Sequence, residues 1–417
     1  MKEIKNAEII CVGTELLLGD IVNTNAAYIS RRLAELGISL YNQTVVGDNP
    51  ERLKNALHQA ASRSDLIIMS GGLGPTYDDL TKETTAEFFG RKLVRNNSII
   101  DRLRAYFAET GRTMTSNNEK QADVPENSFV FVNNYGTAPG ICIEDTTSGV
   151  TAIMLPGPPR ELEPMFAEEV MPYLASRSSS VLVSKNIHIF GMGESAVESI
   201  LSSLMKNSKN PTIAPYCIAG EVRLRITAKA KDKESASAMC DKMVEKVLET
   251  EVKNAVYGID CDSIEEILVS RLIESGKKIA VAESCTGGLI AKRITDISGC
   301  SEVFLGGGVT YANSAKEELL GVSHSSLEKY GAVSEQVAIE MARGVRASLH
   351  SDIGISTTGI AGPTGGTPEK PVGTVYVGVS SEKGEYAKLL HLSSNRDRAY
   401  IRTLAASNAL YAALGEI

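Results

Sequence analysis

Over two long stretches, residues 1–170 and 256–417, the chain alternates short apolar runs with helix-like runs, and that rhythm admits few folds. Apolar runs at 7–12, 38–46 and 65–70 predict strands, with helices predicted over 25–36 and 50–61 between them. Strands that return through helices of about 10–15 residues pair in parallel, and both faces of such a sheet must be covered. The C-terminal stretch repeats the rhythm, with strands predicted at 277–281, 308–311, 352–357 and 373–379 and helices at 263–274, 289–297, 314–320, 334–350 and 397–414. Ser314 with Glu317 fits a capping box at the start of the helix over 314–320. Residues 171–255 differ. Within them, 222–229 alternates at period two, the mark of a strand with one solvated face, and a helix is predicted from 233 to 250. The predicted class is therefore α/β: two separate α/β domains with mainly parallel sheets (1–170 and 256–417), joined by a small α+β module (171–255).

Composition narrows the function. Lys and Arg number 43 against 51 Asp and Glu, a net charge of −8, which disfavours coating a nucleic-acid duplex or a polybasic membrane role. The 7 cysteines are scattered and odd in number, without metal-ligand spacing, so neither a disulfide framework nor a zinc site is predicted. The apolar start breaks at Gly13, too short for a signal segment, and no run reaches spanning length. A soluble, cytoplasmic protein is the expectation, with small-molecule substrates and no nucleic acid or membrane as partner.

Three segments in the C-terminal stretch carry chemistry. Ala282-Glu283-Ser284-Cys285-Thr286-Gly287-Gly288 follows an apolar run and precedes a helix. A hydroxyl on such a turn lies beside backbone amides and a positive dipole end that can hold an oxyanion, where an acyl-transfer nucleophile belongs. Simple capping by Ser284 or Thr286 is the competing reading. Next, Gly306 to Asn313 brings the phenol of Tyr311 and the amide of Asn313 to the same sheet end, unless Tyr311 is merely packed. The third segment, Thr357 to Gly366, supplies four glycines that let backbone approach a phosphate or carbonyl, without P-loop spacing. None of His324, His350 and His391 lies in a motif, and Lys292 falls about 12 Å along the helix from the turn, out of reach. Tyr311 is then the candidate base, with Arg396, Arg398 or Arg402 as the cation that lowers its pKa or binds a phosphate.

AESCTGG, GGGVTYAN, TGIAGPTGG with PVGTVYVGV, and NRDRAYIR together resemble the C-terminal domain of the CinA family, over residues ~260–417. The resemblance implies a nicotinamide mononucleotide (NMN) deamidase that yields nicotinate mononucleotide and ammonia without a cofactor. It implies Ser284, Tyr311 and Arg398 as the catalytic set, although Arg396 adjoins Arg398 where the family often has glycine. The amides of Thr286 and Gly287 would hold the oxyanion, and Asn313, Thr358, Gly359, Ala361 and Gly362 would line the substrate.

In the N-terminal stretch, Gly71-Gly72-Leu73-Gly74-Pro75-Thr76 follows a strand and precedes Asp78, Asp79, Thr81 and Glu83, a setting for phosphate with a divalent cation or for ordinary helix-start acids. It resembles the molybdopterin-binding fold of the MogA/MoaB type, in the version carried by CinA proteins, together with Gly13-Thr14-Glu15 and Leu155-Pro156-Gly157-Pro158-Pro159. This resemblance implies ADP-ribose pyrophosphatase activity with a divalent metal (magnesium, manganese or cobalt) and potassium (K+). Glu15, Asp48 and Asp79 are the candidate metal residues, and Gly72, Gly74 and Thr76 would line the phosphates. The middle module resembles a KH fold, but Gly191-Met192-Gly193-Glu194 has the wrong spacing for a strand clamp, and a linking, homodimer-forming role is implied instead. The competing readings are a competence-associated scaffold and a pterin binder.

Overall fold

The computed structural model describes residues 3–218 and 220–417. Two units emerge, Met1–Val183 with Ala228–Ala238, and Ser184–Thr227 with Met239–Ile417.

In the first unit, β1 (Asn6–Val12), β2 (Ser39–Val46) and β3 (Leu66–Ser70) are the predicted strands. A small ladder of β4 (Leu93–Arg95) and β5 (Asp123–Pro125) stands apart. With β6 (Phe129–Phe131), β7 (Gly140–Asp145) and β8 (Val150–Leu155), the main sheet runs β2-β1-β3-β8-β7-β6. Its first four strands are parallel and its last two antiparallel. Around it lie α1 (Thr14–Leu18), α2 (Thr24–Glu35), α3 (Pro50–Ala61), α4 (Thr81–Phe88), α5 (Asn97–Glu109), α6 (Pro159–Met165) and α7 (Met171–Ala175). The period-two rule divides its core. Ile9 and Ile68 pack with Leu33 and Phe166 on one face, while their neighbours Ile10 and Ile67 pack with Leu57 and Leu103 on the other. Asn23 and Asn49 cap α2 and α3 by accepting from the amides of Ala26 and Arg52.

A four-stranded sheet, β10-β11-β9-β12, is built from β9 (Val181–Phe190), β10 (Thr212–Ile218), β11 (Glu221–Ala230) and β12 (Val256–Ile259), with α8 (Glu194–Asn207) and α9 (Lys233–Leu248). The alternation read at 222–229 is realised: Val222, Leu224, Ile226 and Ala228 are buried.

In the second unit β13 (Ile279–Glu283) is an interior strand, parallel to both β14 (Phe304–Val309) and β15 (Ile353–Gly359). β16 (Thr374–Ser381) and β17 (Gly384–His391) continue the sheet antiparallel. Helices α10 (Ile264–Ser275), α11 (Leu289–Thr295), α12 (Asn313–Leu320), α13 (His324–Tyr330), α14 (Glu335–Leu349) and α15 (Arg398–Leu414) cover it. Its ladders are evenly parallel and antiparallel, so the sheet is mixed. Three local expectations change. β14 ends at Val309, placing Tyr311 in the turn beyond the strand. Helix α12 begins at Asn313 with Ala312 as N-cap and no side-chain cap bond, so Ser314 lies inside the first turn and forms no capping box. β17 went unpredicted because its exposed edge carries Glu385 and Lys388, which break the apolar pattern. Among the described residues no helix is long and apolar enough to cross a membrane.

Gly344 sits inside α14, where alanine ordinarily helps a helix. A Cβ there would lie 1.9 Å from the Leu320 carbonyl oxygen at the end of α12. Gly344→Ala is therefore expected to destabilise the protein by about 1–3 kcal/mol, read from the denaturant midpoint.

Candidate active sites

Strand β13 ends on Glu283, whose carboxylate is 1 % exposed and shapes everything after it. Its oxygens accept from the amides of Gly288 (2.9 Å), Ile290 (3.1 Å) and Ala291 (2.8 Å), so it occupies the amino end of α11. The turn it holds carries Ser284, tied by its own amide to the Thr357 carbonyl at 2.9 Å. The Thr286 and Thr357 hydroxyls meet at 2.6 Å, and Arg402 donates to the Thr286 carbonyl. Gly287, at φ +59°, spends its amide on the Ser284 carbonyl. Of the pair of amides expected to hold an oxyanion, Thr286 is thus the one left to do so, and the Gly287 amide is not.

The sequence reading missed the group beside Ser284. Lys316, on the first turns of α12 and 1 % exposed, places Nζ 3.2 Å from Ser284 Oγ. The same nitrogen donates to the carbonyls of Thr310 (2.7 Å) and Tyr311 (3.2 Å). Burial holds its pKa below the ordinary lysine value. A neutral amine has two N–H bonds and one lone pair. With both hydrogens engaged by the two carbonyls, the lone pair faces the serine hydroxyl. Cys285 does not compete as nucleophile, because burial pushes its thiol up to about 11.

Tyr311, expected as the base, is 61 % exposed, and its hydroxyl accepts from Arg398 at 3.0 Å. Arg398 also donates to the Gly362 carbonyl at 2.8 Å, joining the phenol to the glycine loop. Arg396 instead lies over the Tyr400 ring, so Arg398 is the arginine at the site. Asn313 is exposed at the start of α12. Thr358 and Ala361 are buried, the Thr358 hydroxyl donates to the Ala332 carbonyl, and Gly359 packs against β16. These contacts tie Thr358 and Gly359 into the sheet, with Ala361 just beyond the end of β15. Lys292, as expected, points elsewhere and pairs with Asp296.

The first unit offers a cavity of about 590 Å³ at the carboxyl ends of β1 and β3, where open α/β sheets place ligands. Glu15, Asp48, Asp79, Gly72, Gly74 and Thr76 all line it, as expected. A Cβ at Gly74 would lie 2.4 Å from an Asp79 oxygen, so any larger residue would push the Asp79 carboxylate from its place. Asp48 accepts from the Thr14 amide (3.0 Å) and hydroxyl (2.7 Å), and Asp79 accepts from the Thr76 amide (2.9 Å). Asp78 and Glu161 add two more carboxylates, and burial raises the pKa of Glu161. Among the described residues that line the cavity there is neither lysine nor arginine. Lys120 Nζ donates to the carbonyls of Thr76 and Asp79 behind the lining, and the lining's own carboxylates are the groups available to a cation. No three His, Cys, Asp or Glu groups among the described residues converge to hold one. The donor set fits a divalent ion bound through one or two carboxylates, water and the ligand's own phosphate oxygens, and not a caged ion.

The fold and sites define a multidomain α/β protein with a molybdopterin-binding-type domain at one end and a serine–lysine site at the other. Residues 8–176 match the family described as "Probable molybdopterin binding domain", 184–258 the damage-inducible protein CinA KH domain, and 261–417 the CinA C-terminal domain. The chain belongs to the CinA family. It is 52% identical to a CinA-like protein of Kosmotoga olearia over 404 residues, 97% of each chain. It is 50% identical to a CinA-like protein of Dictyoglomus turgidum over 396 residues, 95% of this chain and 96% of that one. A crystal structure of competence/damage inducible protein CihA from Agrobacterium tumefaciens aligns at 38% identity over 37% of this chain and 97% of that chain, with TM-score 0.35.

Glu283→Ala is expected to lower unfolding stability by about 1–3 kcal/mol, since three amides lose a buried acceptor. Thermal and denaturant unfolding of the full chain would measure it.

Proposed function

We propose that the second unit hydrolyses the amide of NMN to nicotinate mononucleotide and ammonia, and that the N-terminal domain cleaves ADP-ribose at its pyrophosphate. Both reactions belong to cytoplasmic recycling of pyridine nucleotides. One observation carries the first activity: Ser284 Oγ lies 3.2 Å from the nitrogen of a buried lysine. A scaffold has no need of a desolvated amine beside a serine hydroxyl, and desolvation makes such an amine a base at neutral pH.

The reaction follows from that geometry. Lys316 takes the proton from Ser284 as Oγ attacks the amide carbon, and the Thr286 amide steadies the oxyanion. The ammonium of Lys316 then protonates the departing nitrogen, and ammonia leaves behind an ester of Ser284. Water, deprotonated by the same amine, cleaves the ester and restores the serine. Arg398, at the start of α15 beside the glycine loop, supplies the cation for the substrate phosphate, with Tyr311 fixed by it at the mouth.

Ammonia release from NMN tests this. Ser284→Ala is expected to abolish it. Lys316→Arg keeps the charge but cannot act as a base, and is expected to lose about 10²–10⁴-fold in kcat. Wild-type kcat should rise with pH as Lys316 loses its proton and level off below the ordinary lysine pKa, because burial lowers that pKa. Release that persists in Ser284→Ala would discard the nucleophile.

In the N-terminal domain a divalent ion, when bound, would neutralise the diphosphate and polarise the bond to be cleaved. Asp48 and Asp79 are the residues placed to share it, and the turn at Gly72 and Gly74 brings backbone to the phosphates. A chelator is expected to stop formation of AMP and ribose 5-phosphate from ADP-ribose while leaving ammonia release from NMN unchanged.

A further inference from the structure

Thr357 touches three consecutive residues of the nucleophile turn. It is a fully buried residue of β15, directly opposite Glu283 in the parallel ladder of β13 and β15. Its carbonyl accepts from the Ser284 amide at 2.9 Å, one residue beyond the last paired position of β13. Its hydroxyl meets the Thr286 hydroxyl at 2.6 Å and also lies within hydrogen-bond reach of the Cys285 thiol. Ser284, Cys285 and Thr286 are thus each held by one residue of a neighbouring strand. On its other side Thr357 pairs with Val377 of β16, so it has a strand on either hand. A side chain fixed in this way is a rigid reference for the turn beside it.

What depends on that reference is the Thr286 amide. The Thr286 carbonyl accepts from Arg402 and its hydroxyl is paired with Thr357, so both ends of the residue are pinned while the amide is left to an oxyanion. Thr286 is itself fully buried. Without the Thr357 hydroxyl, the Thr286 hydroxyl loses the partner it has in the structure. A buried hydroxyl left unpaired is costly, so the side chain turns toward another partner and the peptide moves with it. The base and the anion grip do not depend on Thr357. Lys316 is held by Ser284 and the carbonyls of Thr310 and Tyr311, and Arg398 by Gly362 and Tyr311. We propose that Thr357 is a positioning residue of the amidase site: without touching substrate, its hydroxyl fixes Thr286 so that the Thr286 amide is aimed at the developing oxyanion. The inference rests on the reading of Ser284 as nucleophile. It does not rest on NMN as the amide.

Thr357→Val, Thr357→Ser and Thr286→Val in the full chain test it. The readouts are ammonia release from NMN and acetylation by p-nitrophenyl acetate, in which Ser284 Oγ takes the acetyl group and p-nitrophenolate leaves. Thr357→Val keeps the shape and removes the hydroxyl. It is expected to lower kcat by about 10–100-fold with KM for NMN unchanged, because an oxyanion donor is misplaced while the anion grip stays. Thr357→Ser keeps the hydroxyl and should keep most of the activity. The pH at which kcat levels off should not move, because Lys316 keeps its contacts. The two hydroxyls act as a pair, so Thr286→Val should cost about as much, and the double variant no more than either single one. Additive losses overturn the proposal. So does a Thr357→Val kcat equal to wild type, or a loss accompanied by a shifted pH dependence, which would place the effect on the base. If Thr357→Val fails to fold, full kcat in Thr286→Val overturns it equally. A burst of p-nitrophenolate that needs Ser284 and slows in Thr357→Val, with no ammonia from NMN in wild type, would remove NMN and keep the positioning role. Ammonia release unchanged by either valine would keep the deamidase and remove the role. Neither ammonia nor a burst that needs Ser284 in wild type would overturn both.

Discussion

A carboxylate sealed from water governs the C-terminal site. Glu283 ends an interior strand, and its three hydrogen bonds to the first amides of α11 decide where the next residues go. Burying an anion is costly unless it is hydrogen-bonded, and here the amino end of a helix offsets that cost. The consequence is chemical as well as structural. Because Glu283 fills the end of α11, that helix is closed to a substrate anion. The free cationic groups then lie across the site at the start of α15, where Arg398 bridges Tyr311 and Gly362. Ser284 and Arg398 thereby stand on different elements of the site.

The two sites solve opposite electrostatic problems. Beside Ser284 a buried lysine, its pKa lowered by desolvation, is held by two carbonyls. In the N-terminal cavity carboxylates gather without any lysine or arginine among the described lining residues. The first arrangement suits proton transfer and the second suits phosphate chemistry. Both lie where parallel strands end, since there the pleated edges diverge and loops of different lengths can meet.

Much was legible in the residues. Glycine-rich turns after apolar runs located both candidate sites, and β1, β2 and β3 fell close to their predicted limits, while β6, β7 and β8 were not predicted. Lys316 was not legible, because nothing local distinguishes a lysine in a helix that folds inward from one that faces water. Glu283 looked like part of a motif, and its capping role needed the helix to curl back over it. Thr358, Gly359 and Ala361 were implied as ligand contacts by the family resemblance, and pairing of β15 with β16 ties Thr358 and Gly359 into the sheet. Tyr311 became the candidate base by elimination of the histidines and Lys292, with Lys316 unseen.

Sequence alone determined the α/β class, the location of the nucleophile turn and the two glycine cradles, because periodicity and turn chemistry are local properties of the chain. Tertiary structure decided which amine meets Ser284 and which arginine meets Tyr311. Those are matters of burial and of contacts between residues far apart in sequence, such as 32 positions for Ser284 and Lys316 and 87 for Tyr311 and Arg398. A group's pKa and partners depend on what surrounds it, and the chain has no surroundings until it folds.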